Sequence, residues 1–216
     1  MLRINEHQEI GILENENITT LVNIYLCYCF SHAFRYNDDV YDRTWRVDVN
    51  LIDSVSIGTE TNIDIQGSDD PYRLPVEVLR TAVKPRNGLN SLSYTYAPQY
   101  TESFTPKFLV YFHFAEIEQI APGNLRKVNI TLNGLKYGPF TLEYLKPLTI
   151  RSNITQVQEG QVRFSIDAMG SELPPILNAF EIFELLPLHD SPTNQTDGMF
   201  SISILLIAIG FGARML

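Results

Sequence analysis

Two carboxylates placed on either side of a glycosidic bond can hydrolyse it, one as acid and one as base or nucleophile. The acidic pairs of this chain are therefore the first residues to weigh. Glu116 and Glu118, Asp69 and Asp70, and Asp167 and Glu172 are the candidates. Glu116 and Glu118 would share one face just past a strand, but acids are common at strand ends. None of the pairs stands in a context that explains a raised pKa, so catalysis by them ranks low. His7, His32, His113 and His189 are far apart and show no metal-ligand spacing. His113 is read as a structural histidine, not a ligand. No Gly-x-Gly-x-x-Gly, P-loop or Gly-x-Ser-x-Gly elbow occurs, and no nucleophile stands out. Cys27 and Cys29 are two residues apart, a poor geometry for a bridge. They read as small buried hydrophobes or free thiols. The expectation is a chain without a catalytic residue, cofactor or metal.

Binding chemistry is better represented. Tyr72, Tyr94, Tyr96, Tyr100, Tyr111, Tyr137 and Tyr144 are many for one small domain. A tyrosine offers a flat apolar face with a polar tip, which suits saccharide or peptide contacts. Any single one still serves more often to close the end of a core. The tyrosine-rich stretch holding Tyr94, Tyr96 and Tyr100 is the expected ligand contact. Asp38, Asp39 and Asp42 cluster with Arg35, Arg43, Arg46 and the only tryptophan, Trp45. That segment reads as a metal or sugar site or, preferably, as an ordered connector pinned by Trp burial and Asp–Arg pairs. Four Asn-x-Thr sequons, at Asn17, Asn129, Asn153 and Asn194, lean toward a secretory-pathway protein.

Composition narrows the class. The chain has 216 residues, 44% hydrophobic and 19% charged, as a globular protein does, and is long enough for one good core. A net charge of −9 and the lack of a basic patch argue against a nucleic-acid partner.

The elements that would hold these residues are strands. Lys107–Glu116 places Phe108, Val110, Phe112 and Phe114 on one side at period two, and Leu109, Tyr111, His113 and Ala115 on the other. This is the expected central strand of a two-sheet core. Leu92, Tyr94 and Tyr96 alternate, as do Val128, Ile130 and Leu132, which leaves Asn129 facing outward. Asn133-Gly134 is a strong hairpin signal, with Leu135–Leu142 returning and an interruption at Gly138-Pro139. Leu148–Ser152, Val162–Asp167 and Asn178–Leu185 complete the set. Leu74–Val83 is expected to be one or two helical turns ended before Pro85. About seven regularly spaced strands with almost no helix imply an all-β chain, an antiparallel sandwich or jelly roll with one short helix.

The ends look different. Residues 1–33 lack a clear period, and residues 1–30 read as foreign to the fold more than as an extra strand. No clear signal peptide is visible. Residues 189–198 read as a polar linker. The hydrophobic tail 199–216 is shorter than the roughly 20 residues a spanning helix needs. It reads as the beginning of a membrane anchor or as a chain end unrelated to the fold.

Several segments resemble one family. Arg35-Tyr36-Asn37-Asp38-Asp39-Val40-Tyr41-Asp42-Arg43-Thr44-Trp45 is similar to the connector of plant malectin-like domains. Pro75–Ala82, Phe112–Ile117, Asn133-Gly134 and Leu173–Ile182 resemble its other hallmarks, in order. The resemblance covers roughly residues 34–188, with a connector over 34–70 and a β-sandwich over 71–188. It implies the ectodomain of a plant leucine-rich-repeat receptor-like kinase, usually two such sandwiches in tandem. Only the connector and the second sandwich are matched, which suggests a truncated family member without the kinase. The implied function is a non-catalytic extracellular recognition module at the cell surface, for a cell-wall glycan or peptide ligand. The tail is a possible membrane attachment, and a second malectin-type domain is a possible packing partner. The alternatives are a glycan-processing enzyme of sandwich fold and a half-ectodomain with only a packing role.

Overall fold

The structure is a computed structural model. It describes residues 18–26, 34–37, 39, 41, 43–45, 53–65, 72–86, 89–98, 105–170 and 173–187. Cys27, Cys29, Asp69, Asp70, Tyr100, Glu172, Asn17, Asn194, the linker and the tail lie outside the described residues. The chain divides after Leu186 into two compact units, and the sandwich belongs to the first.

In chain order the strands are β1 (Ile18–Leu26), β2 (Phe34–Arg35), β3 (Thr44–Trp45) and β4 (Ser54–Gly58). The helix α1 (Val76–Leu79) leads into β5 (Thr81–Pro85) and β6 (Ser91–Tyr96). Then come β7 (Lys107–Phe114), β8 (Lys127–Leu132), β9 (Leu135–Thr141) and β10 (Leu148–Arg151). Last are β11 (Thr155–Gln156), β12 (Val162–Ala168) and β13 (Ala179–Pro187). One five-stranded sheet runs β1-β13-β7-β10, with β11 also on β7, and a four-stranded sheet runs β6-β12-β8-β9. The pairings of β6–β13 are antiparallel throughout. Among the described residues the chain is therefore all-β with one short helix, as its alternation implies.

The period-two face of β7 makes the core. Phe108, Val110, Phe112 and Phe114 are buried beside Phe180 and Ile182 of β13. Leu92, Tyr94, Val128, Ile130, Leu132, Val162, Phe164 and Ile166 of the other sheet join the same cluster. Phe164 lies 5.0 Å, centroid to centroid, from both Phe112 and Phe180, each in a T-shaped arrangement. These rings lock the sheets through their edges and faces.

Turn chemistry sets the register. Asn133 and Gly134 both take positive φ, 46° and 80°, as the two-residue turn joining β8 and β9 requires. The Asn133 side chain also accepts from Arg163 N–H at 2.8 Å and donates to Gln156 O at 2.7 Å. It thus ties the hairpin to β12 and to β11 of the opposite sheet. The interruption in β9 is a register shift opposite Val128/Ile130, where Gly138 (φ 113°) approaches Asn129 closely.

Two readings are corrected. The helical run over Leu74–Val83 shrinks to the single turn Val76–Leu79, and Thr81–Pro85 is instead a strand on β4. Pairing with β4, and the reciprocal main-chain bonds of Val83 with Leu177, outweigh the local helical spacing. Nor is the N-terminal stretch wholly outside the fold, since Ile18–Leu26 is a strand beside β13.

Phe112 is 1% exposed at the centre of this packing. Phe112→Ala is expected to lower the unfolding free energy by about 3–5 kcal/mol, read by urea denaturation. A loss under about 1 kcal/mol would mean the two sheets do not meet there.

Candidate functional site

The outer face of β7 is not left to water. Tyr111 and His113 are buried there, and Glu181 of β13 sits opposite Tyr111. The connector covers them. Trp45 is fully buried and its indole N–H donates to Asp39 Oδ2 at 2.8 Å. Arg43 Nε donates to the same carboxylate at 2.9 Å, and Nη1 to Glu181 Oε1 at 3.3 Å. Its Nη2 donates to the carbonyls of Tyr72 and Arg73. His113 Nε2 lies 3.5 Å from Glu181 Oε2, and Nδ1 is 2.9 Å from Thr149 Oγ1. Burial pushes the Glu181 carboxyl up, but His113 and the Arg43 charge outweigh it and hold the carboxyl below its ordinary range. Burial works against the Arg43 charge, yet Glu181 and Asp39 raise its pKa further. Trp burial and the Asp39–Arg43 pair do pin the connector, whereas Asp38, Asp42 and Arg46 lie outside the described residues.

Of the acidic pairs, the described members Glu116, Glu118 and Asp167 have partners elsewhere. Arg126 is 1% exposed, its Nε 3.3 Å from Glu116 Oε2 without hydrogen-bond alignment, and its Nη2 donates to Glu118 Oε2 at 2.8 Å. Lys84 Nζ donates to Glu118 Oε1 at 2.5 Å. Burial pushes Glu116 up against the pull of Arg126. Burial also pushes Glu118 up, but the hydrogen bonds from Lys84 and Arg126 prevail and hold it down. Asp167 accepts from Ser165 Oγ at 2.9 Å. These contacts give each carboxylate a fixed partner inside the fold. Asn178, inside the Leu173–Ile182 hallmark, is similarly occupied. It accepts from Ala115 N–H and donates to the carbonyls of Leu79 and Thr81.

The expected tyrosine contact is only partly available. Tyr94 is 3% exposed, with its ring 4.7 Å from Phe180 and 5.2 Å from Phe164. Alternation in β6 turns Tyr94 inward, so its ring is core and presents no face to a ligand. Tyr96, at the strand end, is half-buried against Phe108. Tyr100 is outside the described residues.

The opposite alternation produces a different surface. Ser93 pairs with Ser165 and Ser165 with Thr131, so three hydroxyls stand side by side across β6, β12 and β8. Thr95 lies opposite Arg163 in the next row. Together with Asn133, Gly134, Gln158 and Glu159 they line an open groove of about 620 Å³. Arg163 reaches Glu159 at 3.1 Å and Gln161 at 2.7 Å at its rim. The signal in sequence is the run of mostly short polar residues at the outward positions of three strands, Ser91, Ser93, Thr95, Ser165, Asp167, Asn129 and Thr131 among them, and each strand alone looks like an ordinary solvated face.

These elements define a two-sheet antiparallel sandwich with a charge-locked connector on one outer face and a polar groove on the other. The Malectin-like domain model matches residues 9–185, and the chain belongs to that family. Among curated proteins, the Arabidopsis thaliana leucine-rich repeat receptor-like serine/threonine-protein kinase At2g14510 is 34% identical over 172 residues, covering 79% of this chain and 19% of the relative. The probable kinase At1g51860 of the same plant is 29% identical over 205 residues, covering 88% and 22%. The chain thus spans about a fifth of the length of the curated relatives it matches. Among solved structures, the ANXUR2 extracellular domain of Arabidopsis thaliana superposes with a TM-score of 0.63 at 18% identity, over 78% of this chain and 50% of that one. A structure of the plant peptide RALF23 in complex with FER and LLG2 gives 0.57 at 18% identity, over 77% and 49%. At such identities the likeness shows the fold.

Glu181→Gln is expected to destabilise the domain by about 3–5 kcal/mol at neutral pH, because Arg43 keeps a buried charge with one partner fewer. A carboxyl held below its ordinary value of 4.5 stabilises the fold fully above that pH. The gap between wild type and variant should therefore close as pH falls below 4.5 through the depressed folded value. Urea midpoints measured from neutral to acid pH would show it, and a gap that widens on acidification would contradict the assignment.

Proposed function

We propose that this chain is an extracellular recognition module, which binds a glycan or peptide and does not turn it over, and that the groove on the four-stranded sheet receives the ligand. The hydroxyl row Ser93–Ser165–Thr131 carries this reading. Short hydroxyls, an amide and one guanidinium–carboxylate pair match the donors and acceptors of a saccharide or an extended backbone. The family membership supports recognition, and so does the peptide complex of FER. Relatives named as receptor-like kinases support a position on the outer side of the cell surface. Affinity is expected to be weak, because hydrated hydroxyls must be desolvated and ordered before they bind.

The enzymatic alternative needs free acids. Glu116 and Glu118 are instead paired with Arg126 and Lys84, and Asp167 is bonded to Ser165.

Ser93 is exposed, so Ser93→Trp should fill the groove and leave folding unchanged, with an effect on stability within about 0.5 kcal/mol. On a glycan and peptide array it should lower retention at least about tenfold, a loss of about 1.4 kcal/mol. Tyr96→Ala is a poorer probe, because Tyr96 packs on Phe108. Retention unchanged by Ser93→Trp would remove the groove assignment. Cleaved product that disappears with Glu116→Gln or Asp167→Asn would replace binding by catalysis.

A further inference from the structure

The two described sequons occupy unlike positions. Asn129 is half-buried in β8, which is paired on both sides, and its Oδ1 lies against Gly138 while its Nδ2 meets Met169 Sδ at 2.7 Å. Asn153 is exposed, two residues past the end of β10. Its backbone N–H donates to the Tyr137 hydroxyl of β9 at 3.2 Å. Among the described residues, β9 ends the four-stranded sheet on one side and β10 ends the five-stranded sheet, with β6 and β1 at the opposite ends. That one bond therefore places Asn153 beside the β9 and β10 edges.

Open edges present unpaired N–H and C=O groups to any other strand. β9 carries its own protection in Lys136, exposed Pro139 and the register shift at Gly138. β10 reads Leu-Thr-Ile-Arg, with two apolar residues, no proline and one charge. We infer that Asn153, not Asn129, carries an N-linked glycan, and that this glycan covers the β9 and β10 edges and keeps two copies from pairing through them. The inference rests on the extracellular reading above. The sequon hydroxyl fixes when the sugar is added. Thr155 is 8% exposed and its Oγ1 accepts from Asn133 Nδ2 at 3.2 Å, so the transferase must act before the domain closes. The folded positions then decide which glycan the fold can carry: exposed Asn153 holds one outside, whereas a glycan on half-buried Asn129 would displace its contacts with Gly138 and Met169, and such chains would fail to fold and be secreted.

The chain, behind a secretory leader, would be produced in a eukaryotic host and its glycopeptides mapped by mass spectrometry. Asn153 should be occupied in most molecules and Asn129 in few. The folded protein would then be treated with an amidase that removes N-glycans, and Asn153→Gln, which spares Thr155, would be prepared alongside. Both should self-associate in sedimentation at a concentration at least about tenfold lower than the glycosylated protein, about 1.4 kcal/mol of association free energy. Their urea midpoints should be unchanged. Secreted protein with a bare Asn153, or enzymatically deglycosylated protein that stays monomeric over the same range, would overturn the inference and leave the recognition reading standing. Folded protein retained inside the cell would overturn the extracellular reading and this inference with it.

Discussion

The fold depends on keeping both faces of β7 out of water. Its inner face, with three phenylalanines and a valine, needs only an apolar layer, and the second sheet supplies one. Its outer face carries His113 beside Glu181 of β13. An ionised carboxylate cannot be covered by hydrocarbon alone, because the lost hydration is not returned. Arg43 returns it, bringing with it Asp39 for charge balance, and Trp45 closes the layer over His113 at 6.5 Å. The connector is therefore structural in a strong sense: without it β13 would hold an uncompensated charge beside the central strand.

Single asparagines join elements where no continuous ladder does. Asn178 binds β7's end, α1's last carbonyl and β5 together, and Asn133 joins a hairpin of one sheet to β11 of the other. An amide donates and accepts at once, so it can satisfy unlike backbone groups that a carboxylate or a lysine could not. With these fasteners and the buried ion pairs of Arg43 and Arg126 drawn inward, the outer face of the four-stranded sheet keeps a row of short hydroxyls. That division explains how a domain with many acids presents a nearly neutral, hydroxyl-rich groove.

This sandwich separates the groups that hold the fold from the surface proposed for contact. The strong terms, aromatic burial and paired charges, sit in the core and under the connector. The groove's hydroxyl residues Ser93 and Thr95 are exposed and contribute little to folding, whereas Asn133 and Gly134 at its end set the hairpin turn. In the proposed reading such contacts are individually weak, and selectivity comes from several placed in register, which a sheet supplies by geometry.

The sequence by itself determined the all-β class, the strand faces, the Asn133-Gly134 turn and the family, because side-chain alternation and turn chemistry are local. Trp45 and its Asp–Arg neighbours were legible as a pinned connector for the same reason. Only the tertiary structure decided what they pin to, since Glu181 is 138 residues from Arg43 in the chain. It decided that Thr81–Pro85 is strand, because a partner 23–31 residues earlier outweighs local helical spacing. It turned Tyr94 into core, as the inward side of β6 is fixed by which face meets Phe180. The hydroxyl groove belongs wholly to that level: three short polar residues on three strands become one surface only when pairing sets them in register.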